Sequence, residues 1–66
     1  MLVKQLVSLI DRHETSRLLI FPTNGQLGIR NGNFITLDLN DARLQQILDD
    51  QINSIFVFNG LLSITI

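Results

Sequence analysis

The sequence of 66 residues contains no cysteine and few charged residues. The absence of cysteine excludes disulfide bonds and thiolate zinc clusters as sources of stability. Charged residues make up 17% of the chain, against about 25% in a typical soluble domain, whereas 45% of the residues are apolar. This composition excludes intrinsic disorder, which requires low hydrophobicity or high charge. We therefore expect one small folded domain over residues 1–66, and its low charge favours association with another surface.

Long apolar runs are also missing. The longest uninterrupted ones are Leu18–Phe21 and Ile55–Phe58, with four residues each, whereas a transmembrane helix needs about 20. The first residues do not combine a basic leader with a small-residue cleavage site, as a signal peptide would. These absences predict no membrane association and a cytoplasmic protein.

Charge is low and unevenly distributed. The net charge is −1, and no ionisable side chain follows Asp50. Residues 1–30 carry four basic and two acidic groups, a net of +2, and residues 31–66 carry one basic and four acidic groups, a net of −3. A nucleic-acid-binding domain usually has a clustered basic surface, and this distribution does not favour one.

The apolar pattern predicts the element order α-β-β-β-α-β-β. Helical spacing of apolar residues predicts a helix over 1–13 and a second helix from Asp41, capped by Asn40, with its apolar stripe ending at Ile52. Apolar or alternating segments predict five strands, at 17–21, 26–30, 34–39, 55–58 and 61–66.

Asn-Gly pairs separate several of these segments. They occur at 24–25, 31–32 and 59–60, and this dipeptide between extended segments is the strongest short hairpin signal. Successive hairpins favour antiparallel pairing. The sequence therefore predicts an α+β fold with a mostly antiparallel sheet of about five strands and two helices packed on one face.

Catalytic and metal-binding patterns are weak. His13 is the one histidine, and position 17, where a helical zinc pair would need a second, is Arg17. Asp49 and Asp50 are neighbours in a predicted helix and point about 100° apart. The glycines at 25 and 28 resemble a phosphate loop, but they precede a predicted strand rather than a helix. We predict no catalytic residue, cofactor or metal ligand, and a protein that is not an enzyme.

The basic and aromatic residues allow a nucleic-acid alternative. Arg12, Arg17 and Arg30 could form a modest basic patch, and with His13 they are the candidate polar contacts. RNA-binding sheets stack bases on exposed aromatic side chains, and the aromatics here are Phe21, Phe34, Phe56 and Phe58. A small domain needs its large apolar side chains in the core, so burial of these phenylalanines is the favoured prediction.

The uncharged C-terminal segment is the most informative feature. Soluble proteins usually protect an edge strand with lysine, proline or a bulge, and residues 51–66 contain no such device. The alternative is that this hairpin is central and strand 26–30 forms the edge. We predict a homodimer whose interface includes five apolar residues of the hairpin: Ile55, Val57, Leu62, Ile64 and Ile66.

Three functions remain open on this basis. The first is a small protein-interaction module, such as a regulator, adaptor or inhibitor, that docks another protein through a sheet edge or its first helix. The second is a nucleic-acid-binding regulator. The third is a small hydrolase or ligand-binding subunit with its site between protomers.

Overall fold

A computed structural model describes all residues from 1 to 66. Its elements are helix α1 (Val3–Leu9), strands β1 (Arg17–Phe21), β2 (Ile35–Asp38), β3 (Ser54–Phe58) and β4 (Leu61–Thr65), and two short 3-10 helices at Gln26–Gly28 and Ala42–Gln46. The fold is α+β. No helix is both long enough and apolar enough to span a bilayer.

The four strands form one mixed sheet in the order β2-β1-β4-β3. The outer pairs, β1 with β2 and β3 with β4, are antiparallel, whereas the central strands β1 and β4 are parallel. The prediction of about five mostly antiparallel strands is therefore wrong in number and in the central pairing. Turn signals report only on neighbouring segments, and the β1–β4 pair joins segments far apart in sequence.

The predicted strand at 26–30 is wrong because its backbone turns. Residues Gln26–Gly28 form a 3-10 helix, and φ is positive at Gly25, Leu27 and Gly28. Repeated positive φ angles are incompatible with an extended strand. The Asn-Gly pairs at 24–25 and 31–32 therefore lie in loops rather than hairpins.

The second predicted helix is wrong as well, because only Ala42–Gln46 is helical and its geometry is 3-10. Asp41, rather than Asn40, is the N-cap, and its side chain accepts a hydrogen bond from the Arg43 amide. Backbone hydrogen bonds then recur every third residue: the amides of Leu44 and Ile47 each donate to the carbonyl group three residues earlier. This period still buries Leu44 and Ile47, the residues expected on the apolar stripe.

Helix α1 is shorter than the predicted 1–13. At its start, the Leu2 amide donates to Gln5 Oε1 at 2.7 Å, and the Val3 and Lys4 amides donate to backbone carbonyls of residues 50 and 48. At its end, Ile10 is extended. Arg12 and His13 therefore lie in the turn after the helix rather than in its last turn.

The core lies on one face of the sheet. It joins α1 to β1, β2, β4 and residues 44–52 through eleven buried side chains: Val3, Leu6, Leu18, Ile20, Leu37, Leu39, Leu44, Ile47, Ile52, Ile64 and Ile66. The predicted alternation of the 34–39 segment is confirmed, because Leu37 and Leu39 are in this core and Ile35 packs against it. Strand β3 contributes no residue to it.

The β3–β4 hairpin is confirmed. Asn59 and Gly60 connect the strands with φ of 53° and 73°, the two positive angles of a type I′ turn. This turn has the right-handed twist of the flanking strands, so it fixes the register in which Phe56 lies opposite Ser63.

Candidate functional site

Strand β3 is an edge strand with an open side. It pairs only with β4, and its five residues include no charged residue, proline or glycine. The opposite edge, β2, is one residue shorter and ends at Asp38, whose register partner is Arg17. Natural proteins protect edge strands with charge, proline or bulges. The edge of β3 has none of these, so it is more available than β2 for pairing with another strand.

The helix-covered face does not extend over β3. Ile55 and Val57 lie opposite Ile64 and Leu62 in the hairpin, and paired residues of antiparallel strands share a face. Ile64 is fully buried, yet Ile55 is 48% exposed and Val57 is 73% exposed. The edge strand therefore presents apolar side chains to solvent on the same face that forms the core of its neighbours.

The five apolar residues of the predicted interface separate into two groups. Ile55 and Val57 are exposed on β3. Leu62 packs against the core, and Ile64 and Ile66 belong to it. The buried residues stabilise the chain itself, so any contact with a partner through this hairpin has to be made by β3.

The four phenylalanines form one aromatic cluster. The ring centroid of Phe21 lies 5.2 Å from that of Phe34, 5.6 Å from that of Phe56 and 5.4 Å from that of Phe58. Phe34 and Phe58 are also 5.6 Å apart, edge to face. These separations are typical of favourable aromatic pairs.

This cluster lies on the face of the sheet opposite the core, so the expectation that the phenylalanines fill the core is wrong. None of them belongs to the core cluster, and Phe34 and Phe58 are 45% and 38% exposed. Leu19 and Ser63, on the same face, are buried although no helix covers them. The rings therefore act as the cover of this second face.

A signal for this placement was present in the sequence. In each strand, neighbouring residues point to opposite faces. Phe21 follows the core residue Ile20, Phe34 precedes the inward-facing Ile35, and Phe56 lies between Ile55 and Val57. The phenylalanines share the outward parity, which total composition does not reveal.

The candidate polar contacts have different interaction partners. Arg12 Nη1 donates to Asn40 Oδ1 at 3.4 Å, and the His13 amide donates to Asp11 Oδ1 at 2.9 Å. Arg17 lines an open cavity of about 180 Å³ with residues of the 14–16 and 60–62 segments. Arg30 lines a different one, of about 480 Å³, with Phe34 and glycines 28 and 32. Arg30 therefore lies apart from Arg17, in a different cavity.

Two acidic residues, Asp49 and Asp41, form ion pairs with basic side chains. Lys4 Nζ forms an ion pair with Asp49 Oδ1 at 2.8 Å. The Asp41 carboxylate accepts hydrogen bonds from the Arg43 side chain at 2.8 and 3.1 Å and from its amide at 2.9 Å. These hydrogen bonds lower the pKa of Asp41 to about 2. No group of three histidine, aspartate or glutamate side chains comes together in a way that could hold a metal ion.

Two surface features therefore bear on function, the open edge of β3 and the aromatic cluster that adjoins it. They share one strand, because Phe56 and Phe58 belong to the cluster and Ile55 and Val57 to the other face of β3. Neither feature includes an ionisable side chain. Comparison of the chain with protein-family models, curated proteins and solved structures finds no match, so its function has to be inferred from these two features.

Proposed function

We propose that this chain is a small, cytoplasmic, non-enzymatic protein-interaction module that binds a partner strand along the open edge of β3. The observation that carries the proposal is the unprotected five-residue edge with apolar side chains on both faces. In strand addition, main-chain hydrogen bonds supply affinity and alternate side chains supply specificity. Regulators, adaptors and inhibitors all use this mode of docking.

The chemistry of β3 defines the partner segment. Ile55 and Val57 offer a β-branched surface on one face, and Phe56 and Phe58 offer rings on the other. Cross-strand pairs of β-branched or aromatic residues stabilise a sheet by roughly 0.2–1 kcal/mol each. An extended, uncharged segment with alternating aliphatic and aromatic residues matches this edge on both faces.

Site-specific photocrosslinking in cells tests this proposal. A benzoylphenylalanine at Val57, which is 73% exposed, would lie at the docking edge. Matched probes at Leu9, which is 72% exposed on α1, and at Asn31, in a loop, control for nonspecific crosslinking. We expect a discrete protein adduct from position 57 alone. Adducts from position 9 alone would assign docking to the helix instead, and no discrete adduct from position 57 would contradict the proposal.

A second candidate function is binding of single-stranded nucleic acid. The aromatic cluster favours it, because half-exposed rings on an open sheet face resemble a base-stacking platform. Arg12, Arg17 and Arg30 would supply phosphate contacts. The net charge of −1 and the different cavities of Arg17 and Arg30 weigh against this candidate.

Fluorescence anisotropy with labelled single-stranded DNA and RNA at low salt distinguishes the two candidates. Binding that weakens with salt and is lost in Phe34→Ala and Phe58→Ala would support nucleic-acid recognition. If Phe34→Ala binds as well as the native chain, or if no binding occurs at low salt, this candidate fails. Arg43→Gln is a control for charge, because Arg43 already pairs with Asp41.

A further inference from the structure

We propose that the partner strand of β3 is β3 of a second copy of the chain, paired antiparallel about a two-fold axis through Phe56. This inference rests on the proposed function in one respect, the availability of the β3 edge. It adds the identity of the occupant and the register. The two sheets would join into one continuous sheet of eight strands, four from each copy.

Symmetry restricts how two identical strands can pair. A two-fold axis perpendicular to the sheet brings one residue opposite its own copy, and every other pair is then arranged symmetrically around it. With Phe56 on the axis, Ile55 lies opposite Val57 of the other copy, and Ser54 lies opposite Phe58. This register uses all five residues of β3, Ser54–Phe58, and any neighbouring register uses fewer of them.

The side chains of β3 complement themselves in this register. On the helix-covered face, exposed Ile55 and Val57 form two β-branched pairs across the axis, a favourable cross-strand combination. On the other face, Phe56 meets Phe56, and the two aromatic clusters join. Each cluster contains Phe56 already in contact with Phe21, at 5.6 Å between centroids, so the joined face continues an existing packing arrangement.

Charge favours β3 over the other edge for self-pairing. Residues 51–66 contain no ionisable side chain, so the two copies bring no like charges together. Strand β2 has four residues and includes Asp38, and its self-pairing would carry two carboxylates into the same ladder. Two like charges in one such ladder repel each other, and β3 carries no charge.

The small contact area sets the expected affinity. A stable interface buries about 1,200–2,000 Å² in total, and a ladder between two strands of five residues provides less. We therefore expect a reversible dimer with a dissociation constant on the order of 10–100 µM. The monomer and dimer would exchange within the concentration range of an ordinary sedimentation experiment.

Sedimentation equilibrium from about 5 µM to about 1 mM measures this constant. Val57→Lys should weaken the dimer at least about tenfold, because the added charge would lie against Ile55 of the other copy. Val57→Thr retains a β-branched side chain and should retain the dimer. Leu9→Lys adds the same charge at an equally exposed position on α1 and should have no effect. A native chain that stays monomeric throughout, or equal effects of the two lysines, would overturn the inference.

Cysteine crosslinking tests the register, and the native chain has no cysteine to interfere. Mixing Ile55→Cys with Val57→Cys should give a disulfide-linked heterodimer, since directly opposed residues approach disulfide distance. Each variant alone should crosslink much more slowly, because position 57 lies diagonally from its own copy at roughly 7–8 Å. Faster crosslinking of either variant alone would exclude the register about Phe56.

The outcomes separate this inference from the proposed function. A monomer in sedimentation that still gives a discrete photocrosslinked adduct from position 57 would refute the second copy as partner but retain strand addition. If neither a dimer nor an adduct from position 57 is found, the second copy as partner and strand addition itself are both refuted. Circular dichroism melting of Val57→Lys below 5 µM checks the fold, which should be unchanged because Val57 is largely exposed.

Discussion

Asp41 is the residue at which the chain after β2 begins its 3-10 helix, and it does two things at once. Its carboxylate caps the helix through the Arg43 amide and binds the Arg43 side chain through two further hydrogen bonds. These bonds favour the ionised form, which explains the low pKa of Asp41, about 2, and the raised pKa of Arg43. The arrangement also explains why Asn40 is not the cap, since its side chain accepts a hydrogen bond from Arg12 instead.

The Asp41 carboxylate predicts acid sensitivity. Because the folded state lowers its pKa, the interaction stabilises the chain above the unfolded value and is lost as the pH falls through about 4 to 2. Asp41→Asn should slightly reduce the stability at neutral pH. It should also make the decrease in stability between pH 7 and pH 2 smaller than in the native chain. Urea unfolding at pH 7, 4 and 2 measures the effect. Arg43→Gln should reproduce it, and an unaltered acid response in both variants would contradict the assignment.

Ile64 and Ile55 face each other across the β3–β4 hairpin and form a matched pair for a second prediction. Ile64 is fully buried and Ile55 is 48% exposed. Ile64→Ala should reduce the free energy of unfolding by about 2–5 kcal/mol. Ile55→Ala should cost about 1 kcal/mol or less in dilute solution. Urea titrations compare them, and equal losses would show that β3 and β4 are buried to the same extent on this face.

At the scale of elements, the aromatic cluster makes the second face of the sheet a structural layer. Phe21 lies within 5.6 Å of each of the other three rings, whereas Phe56 is that close only to Phe21. Beneath the rings, Leu19 and Ser63 are buried, and Ser63 Oγ donates to the Leu61 carbonyl at 2.9 Å. The sheet is thus covered by helices on one face, except over β3, and by side chains on the other.

The central position of Phe21 predicts unequal effects of one conservative substitution. Phe21→Leu removes three ring pairs and should cost about 2–3 kcal/mol, whereas Phe56→Leu removes one and should cost about 1 kcal/mol. Thermal unfolding followed by circular dichroism ranks the variants. If Phe56→Leu proved the more damaging, the cluster would not be organised around Phe21.

The sequence predicts the elements well where local signals and burial agree, and poorly elsewhere. Strands β1 and β3 follow from apolar runs, and the turn at Asn59-Gly60 from its dipeptide. Segment 26–30 alternates like a strand, yet Leu27 itself adopts a φ of 59°, which no pattern of hydrophobicity reports. At 44–52 a three-residue and a 3.6-residue period bury nearly the same side chains, so the pattern cannot separate a 3-10 turn from an α-helix.

For the whole molecule, topology is the property that the sequence does not reveal. The parallel pairing of β1 with β4 places Leu19 opposite Ser63 and Ile20 opposite Ile64, and no turn or spacing connects these segments. The same pairing makes β4 central and leaves β3 at the edge. The uncharged apolar segment, residues 51–66, was therefore predictable, but its division into a buried strand and an exposed one was not.

Hydrogen exchange measures this organisation across the molecule. Amides of the central strands β1 and β4 should exchange slowest, and those of the 22–34 loop fastest. In dilute solution the outward-facing amides of β3 should exchange quickly, and near 1 mM, about the upper end of the sedimentation range, they should become protected. Protection of β3 that does not change with concentration would argue against pairing between copies.

The place of β4 between β1 and β3 also has a consequence for synthesis on the ribosome. Strand β4 is the last of the four strands to be translated, yet it is the one that connects the two halves of the sheet. Until residues 61–65 leave the exit tunnel, β1 has only β2 beside it, and an isolated two-stranded hairpin is marginally stable in water. The nascent chain thus keeps Leu19 and Ile20 without their partners Ser63 and Ile64 until β4 has been translated. Chaperones that recognise extended apolar segments would bind β1 in that interval, before β4 pairs with it.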